Sequence, residues 1–501
     1  NPPMAPPYVY TSHESFTHDS IASLAFDWER MGNPGIAPRP PFKVYLPRNT
    51  GDVVRAVKEA RALGQKLTLR SKGHSSNDLV LAEGGSILAL QMMDGILGLD
   101  AERRQVTVQS GAALAEVDEF LMAQGFGLPV IGDHSHITAG GFASVGGISP
   151  ASHRYGLFLD TVRELQYVTW EGEVRRCGRT EDVGTFHRIL GGTGRFGVIT
   201  ELVVDVVPMD KRGTILHNRP RFARTMEDFI TRTTPVIMDP GEARMERGVF
   251  MEYPVGGRKL VFGQFSTYLD TAQSRWKTLV NRVSYGFLHG MGMLAGRLPR
   301  RLDVLLKYVG TVGVMLSPRY ASIKNVEVFT DRILDSSVGD PTRMLIVLGP
   351  AEKYGVLFRE LFPLFRDYRD RYGCFTFLSL YVKAIRSEYL GQGDGAKPFC
   401  ELMFYVGTRP EALTQERLDA LVARVDAACI QHGALRYMHT KTSRDPAIRQ
   451  RVDPNERYAS RTAEPVSSPQ RPVEADGAHA SPGVLGRASA PKHPPGETKH
   501  S

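Results

Sequence analysis

The chain has 501 residues, 42% hydrophobic and 23% charged, with a formal charge of +8 spread along its length. These are the values of an ordinary soluble globular protein of two or three domains, and so modest a charge gives little support to a nucleic-acid partner. No stretch reaches the length of a membrane span, and Cys177, Cys374, Cys400 and Cys429 have neither close pairing nor metal-ligand spacing, so no metal centre or disulfide framework is expected.

The first residues, Asn-Pro-Pro-Met-Ala-Pro-Pro, have neither the basic start nor the apolar stretch of a signal peptide, and no initiator methionine opens the chain. The expectation is a trimmed cytoplasmic chain whose residues 1–39 form an N-terminal arm. Phe42 to Leu46 alternates as a short strand. Asn49-Thr50 then caps a helix whose apolar positions are Val53, Val54, Val57, Ala60 and Leu63, with Gly64 as its stop. Lys66 to Arg70 resumes a strand, which places His74 in a strand-exit loop. Gln105 to Gln109 alternates again, and Leu114, Val117, Phe120 and Leu121 recur at helical spacing. Arg163 to Cys177 reads as a hairpin turning at Glu171-Gly172, and Val198 to Val207 as a buried strand.

Past Pro208 the texture changes, with more aromatics and methionines and longer helical patterns. Strands are expected around Gly248 to Glu252 and Lys259 to Phe265, and an amphipathic helix within Glu411 to Gly433. The residues beyond 460 are rich in Pro, Ser, Ala and Gly and too poor in large apolar residues to offset their ordering entropy. The expected organisation is 40–208 as a first domain, 209–405 as a second, 406–460 as a returning segment and 461–501 as a disordered tail.

Three glycine-rich islands carry the chemistry. They are Arg70-Ser71-Lys72-Gly73-His74-Ser75, the run from Asp133 to Ser149, and Leu190 to Thr200. Glycines let backbone N–H groups approach a phosphate and hydroxyls add donors beside them, so the islands together suit a long anionic cofactor. Gly192-Thr193-Gly194-Arg195-Phe196-Gly197 satisfies G-x-G-x-x-G, but it follows a helical pattern and opens a strand. A nicotinamide-type dinucleotide fold needs the reverse order.

In order and spacing the islands resemble the flavin-binding domain of the vanillyl-alcohol oxidase superfamily, the p-cresol methylhydroxylase type. The pattern is similar to that of cytokinin dehydrogenases: Gly73-His74-Ser75, Asp133 five residues before Thr138-Ala139-Gly140-Gly141, then Ser144-Val145-Gly146-Gly147-Ile148, and later Leu190 to Thr200. The match is specific over residues 40–207. The resemblance implies an α+β fold: a two-part FAD-binding domain plus an α+β substrate domain with an antiparallel sheet and helices. It implies FAD held by Ser71, Lys72, Gly73, His74, Ser75, Asp133, Thr138, Gly140, Gly141, Ser144, Gly147, Ile148 and Ile199. In the resembling enzymes the matching histidine is bonded to the flavin ring, which makes His74 the expected link; simple hydrogen bonding is the alternative. Residues 125–150 hold no cysteine, so a second link is not expected.

The resemblance also makes Asp133 the expected catalytic base, with a loop-capping aspartate as the alternative. Gly433 to Arg444 loosely resembles decaprenylphosphoryl-ribose oxidases, which points to Lys441 near the flavin; a surface lysine is the alternative. The function implied is an FAD-dependent oxidase or dehydrogenase that oxidises a C–OH or C–N bond of a small or medium organic substrate, such as a biosynthetic tailoring enzyme. A different reading is a membrane-surface flavoenzyme for a lipid-linked, prenyl or sterol-like substrate, because Gly286 to Met315 mixes apolar residues with Arg297, Arg300, Arg301 and Lys307. Plain surface helices are preferred for that stretch, so membrane association is not expected. A homo-oligomer is compatible with the sequence.

Overall fold

A computed structural model describes residue 24 and residues 41–82, 84–134, 137–255, 258–295, 318–328 and 342–461. Apart from Leu24 and Arg461, the expected arm and tail lie outside the described residues, as do Arg297, Arg300, Arg301 and Lys307.

Strands β1 (Lys43–Tyr45), β2 (Leu67–Arg70) and β3 (Ser86–Ala89) form a small parallel sheet in the order β1-β3-β2. The helix Thr50–Ala62 links β1 to β2. Its start is set by the Asn49 side chain, which accepts the Asp52 N–H. Its inward face, Val53, Ala56, Val57 and Ala60, packs with Tyr45 and Leu88 on one side and Val168 and Val198 on the other. That contact ties the small sheet to a five-stranded antiparallel one.

The larger sheet has β4 (Ile96–Asp100), β5 (Gln105–Gln109), β7 (Val162–Val168), β8 (Val174–Gly178) and β9 (Val198–Asp205) in the order β4-β5-β9-β7-β8. A two-residue strand, β6 (Phe126–Gly127), pairs separately with β10 (Val207–Pro208). The helix Leu114–Met122 buries Leu114, Val117 and Leu121. Phe120 falls off that stripe and is exposed, since a residue one position before Leu121 points about 100° away from it.

The second half is one eight-stranded antiparallel sheet. It contains β11 (Ile215–Ala223), β12 (Met245–Val255), β13 (Arg258–Asp270), β14 (Tyr320–Ser322), β15 (Thr342–Pro350), β16 (Phe375–Ser387), β17 (Lys397–Thr408) and β18 (Leu435–Arg436). Their order is β14-β11-β13-β12-β16-β17-β15-β18. Strands β12 and β13 extend well beyond the short segments expected from sequence, and β18 brings the returning segment into this sheet. The helices Met226–Met238, Tyr354–Tyr372 and Gln415–His432 pack on one face through Phe229, Phe358, Phe362, Leu418 and Leu421. The opposite face meets the first half. Along β15 the pleat sends Leu345 and Val347 into the helix-covered core, while Ile346 and Leu348 join the core of the five-stranded sheet. The whole is an α+β fold in which the second sheet roofs the first half.

Candidate functional site

The first island follows β2. Gly73 has φ +75°, a backbone conformation that strains any L side chain, and a Cβ there would also force the Arg70 guanidinium, 2.4 Å away, to move. The second island folds into the helix Ala139–Val145, laid against β5 and β9. The third turns out of the helix Val183–Ile189 into β9. Backbone bonds join the last two, with the Gly191 N–H donating to the Ala143 carbonyl at 2.9 Å and the Thr193 N–H to that of Ser144 at 2.9 Å. The order helix, glycine turn, strand is opposite to a nicotinamide-type βα turn.

All three islands face one cleft that encloses about 980 Å³ of atom-free space, counting its open mouth. Its walls include Ser71, Lys72, Gly73, His74 and Ser75, then Thr138, Gly140, Gly141 and Ser144, and Ile199. Unanticipated wall residues are Ser110, Thr193, Tyr437 and His439 among others. The Ser71 and Ser110 hydroxyls are buried in this wall with no protein hydrogen-bond partner, a cost of about 1–3 kcal/mol each unless a ligand supplies one. Free hydroxyls beside glycine-lined backbone and Lys72 suit the phosphates and ribityl hydroxyls of FAD. Gly140 plays a different part from the one expected. Its N–H is already given to the Ser110 carbonyl at 2.8 Å, so it sets the helix against the Ser110 turn and is not a free donor.

Four expected site residues lie outside those walls. Gly147 has φ +85° and donates its N–H to the Tyr437 hydroxyl at 2.7 Å, tying the second island to the returning segment. Ile148 packs in the core beneath. Lys441 pairs with Asp419 at 3.5 Å, half-buried, with burial lowering its pKa. The cleft wall is reached by Tyr437 and His439 of the same stretch. His439 Nδ1 lies 2.8 Å from the Ser76 hydroxyl, and burial drives its pKa down to about 4, so the ring is neutral at physiological pH. No local motif marks these two. The only sequence signal was their place in the stretch from which Lys441 was singled out.

Asp133 is the fourth. It stands where the second island meets the eight-stranded sheet, and its side chain is 29% exposed. Its Oδ2 lies 3.9 Å from Lys383 Nζ, which lies 3.1 Å from Glu401 Oε2. Lys383 and Glu401 are direct cross-strand partners on β16 and β17, both nearly fully buried. Burial disfavours the Lys383 charge, but Glu401 and Asp133 outweigh it and hold its pKa above the ordinary value. Next to Asp133, the His134 ring stacks on His74 with centroids 5.0 Å apart. The fold therefore brings the expected flavin-linking histidine and the expected base to adjoining positions. Neither Lys383 nor Glu401 was legible as a site residue, because a lone Lys and a lone Glu on separate strands carry no motif.

Residues 41–178 match the family described as an FAD binding domain. The chain is 32% identical over 166 residues to the uncharacterized oxidoreductase ORF5 of the fasciation locus of Rhodococcoides fascians, covering 33% of this chain and 37% of that protein. It is 30% identical over 210 residues to cytokinin dehydrogenase 5 of Arabidopsis thaliana, covering 40% and 37%. To cytokinin dehydrogenase 1 of Oryza sativa subsp. japonica it is 32% identical over 179 residues, covering 34% of each. The chain thus matches little more than a third of the length of these curated relatives. The matched family segment ends at residue 178, before Gly433 to Arg444, so it does not bear on the decaprenylphosphoryl-ribose oxidase resemblance. Residues 41–178 thus carry an FAD-binding domain, and the matched part of the chain is similar to cytokinin dehydrogenases.

Proposed function

We propose that the chain is an FAD-dependent oxidoreductase acting on a C–OH or C–N bond of a small or medium organic substrate. The observation that carries this reading is the convergence of the three islands on one cleft whose Ser71 and Ser110 hydroxyls lack protein partners. Ser71, Lys72 and Ser75 would hold the cofactor from one side, and Thr138, Gly141 and Ser144 from the other. FAD, once bound, supplies the acceptor for a hydride leaving the substrate carbon. Asp133 takes the adjoining O–H or N–H proton, a role that general-base catalysis values at about 10²–10⁴-fold. Lys383, itself paired with Glu401, holds that carboxylate at the sheet. His74, in the cleft wall, is the attachment point for the flavin ring.

The test is a spectrum of the purified chain followed by anaerobic screening of alcohols and amines. Expected are a yellow protein whose colour stays with the pellet after acid precipitation, flavin on the Gly73-His74-Ser75 peptide by mass spectrometry, and bleaching by a substrate. A colourless chain that binds no added FAD would overturn the reading. Free FAD in the acid supernatant would overturn only the covalent link.

A further inference from the structure

The helix Arg275–Ala295 is 21 residues long and contains no Asp or Glu. Its orientation on the protein is fixed from below. Asn281 is buried, and its Oδ1 accepts the Ser322 N–H and the Asn325 amide, both at 2.9 Å. One turn on, Tyr285 packs into the cluster of Met245, Tyr268 and Val326. The face opposite these anchors is apolar and open. Trp276 is 67% exposed, Leu279 49%, Val283 61% and Phe287 67%. Spaced at i, i+3, i+7 and i+11, they fall within about 80° of the helix circumference. Isolated exposed apolar side chains are common on protein surfaces, but four in one stripe form a contiguous patch that marks an interaction surface.

The flanks of the stripe say what covers it. Arg275 and Arg282 are exposed beside it and make no ion pair among the described residues. They border a shallow hollow with Gln273, Ser274 and Thr278, a set of donors suited to a phosphate. On the other side Lys277 donates to Thr271 and Ala272, with its ammonium uncompensated by any acid of the helix. An apolar stripe of Trp, Leu, Val and Phe between unneutralised cations is the signature of a helix lying in a lipid interface. A soluble protein partner would equally bury the stripe, but the all-cationic flanks complement an anionic headgroup layer. No helix among the described residues is long and apolar enough to cross a membrane, so the geometry is that of a surface helix.

We propose that this helix docks the chain on an anionic membrane surface, with Trp276, Leu279, Val283 and Phe287 among the acyl chains and Arg275 and Arg282 at the phosphates. The docking is independent of the oxidoreductase reading, since it is measured by binding and not by turnover.

The test is co-sedimentation of the full chain, flavin-loaded where it carries flavin, with vesicles of phosphatidylcholine alone or mixed with phosphatidylglycerol. Binding is expected to the mixed vesicles, falling as salt rises. The double variant Val283→Glu/Phe287→Glu should lose at least about tenfold in affinity, roughly 1.4 kcal/mol or more. Arg275→Gln/Arg282→Gln should weaken binding to the anionic vesicles, and both variants should keep the wild-type flavin spectrum and far-ultraviolet circular dichroism. A wild-type chain that stays in the supernatant with both vesicle types overturns the proposal, as does unchanged binding by Val283→Glu/Phe287→Glu. Lipid-free dimerisation abolished by that variant, without vesicle binding, would assign the stripe to a second copy. Acrylamide-shielded Trp276 emission before lipid is added, read against Trp276→Phe, would assign it to the chain's own residues. Either result overturns membrane docking.

Discussion

Asp133 has a charged neighbour on the eight-stranded sheet, Lys383, which it shares with the buried Glu401. Arg247 and Tyr437 also face it electrostatically. This arrangement makes Asp133→Asn a clean probe. Lys383 keeps its closer partner, Glu401, at 3.1 Å, so the substitution does not orphan that buried ammonium, and the fold should survive. Asparagine preserves the size but removes the proton acceptor. Flavin content should be unchanged while anaerobic flavin reduction slows by about 10²–10⁴-fold. A flavin-loaded variant reduced at the wild-type rate would remove Asp133 from the chemistry, and His439 and Tyr437 in the cleft wall would be the next residues to vary.

Two neighbouring glycines on the helix Ala139–Val145 separate packing from ligand approach. A Cβ on Gly140 would lie 2.5 Å from Ser110 Cβ and 3.0 Å from the Ser110 carbonyl oxygen, so alanine there must push the helix off the turn after β5. A Cβ on Gly141 meets only the Thr138 hydroxyl, at 3.0 Å, and otherwise faces the cleft. Gly140→Ala should therefore lose stability, by about 1–3 kcal/mol as overpacked sites do. Gly141→Val should stay folded but load flavin poorly. Denaturant midpoints and flavin-to-protein ratios, measured side by side, check the contrast, and full flavin occupancy in Gly141→Val would misplace the loop. The sequence made this element visible as glycine and hydroxyl density but hid its helix, because Ala-Gly-Gly-Phe-Ala-Ser-Val has low intrinsic helix propensity. Its conformation is imposed by packing on β5 and β9. The helix Thr50–Ala62 was legible to within a residue or two because its cap, period and stop agree. Strands β15, β16 and β17 were not, since both faces are buried and their apolar runs lack the polar alternation that marks a half-exposed strand. The site reflects the same split. Motif residues on the islands could be named, whereas Lys383, Glu401, Tyr437 and His439 reach it only through sheet pairing and chain return.

The two halves are also joined by a buried charge that does no chemistry at the cleft. Lys211 lies just beyond β10, where the chain crosses from one half to the other. Its Nζ is 3.0 Å from Asp118 Oδ1, on the helix Leu114–Met122, and 2.9 Å from Glu327 Oε2, at the end of the helix Ile323–Glu327. All three side chains are almost fully buried. Burial opposes the Lys211 charge, but the Glu327 and Asp118 carboxylates outweigh it and keep its pKa above the ordinary value. Burial pushes Glu327 up to about 7 even beside this cation. A carboxyl raised in the folded state contributes stability that is fully present below its unfolded value and is lost as pH rises through the folded one. Here that window runs from the ordinary glutamate value of 4.5 to about 7. Lys211→Met removes the counter-charge and leaves Glu327 and Asp118 facing each other, so ionising Glu327 becomes harder still. The variant should lose about 3–5 kcal/mol at pH 8, the cost of orphaning a buried ion-pair partner. The loss should shrink towards pH 5, where Glu327 is protonated in the variant and needs no cation. Urea midpoints of both proteins at the two pH values measure this directly. A deficit that is the same at pH 5 and pH 8 would mean that the lysine stem, and not its charge, holds the halves together.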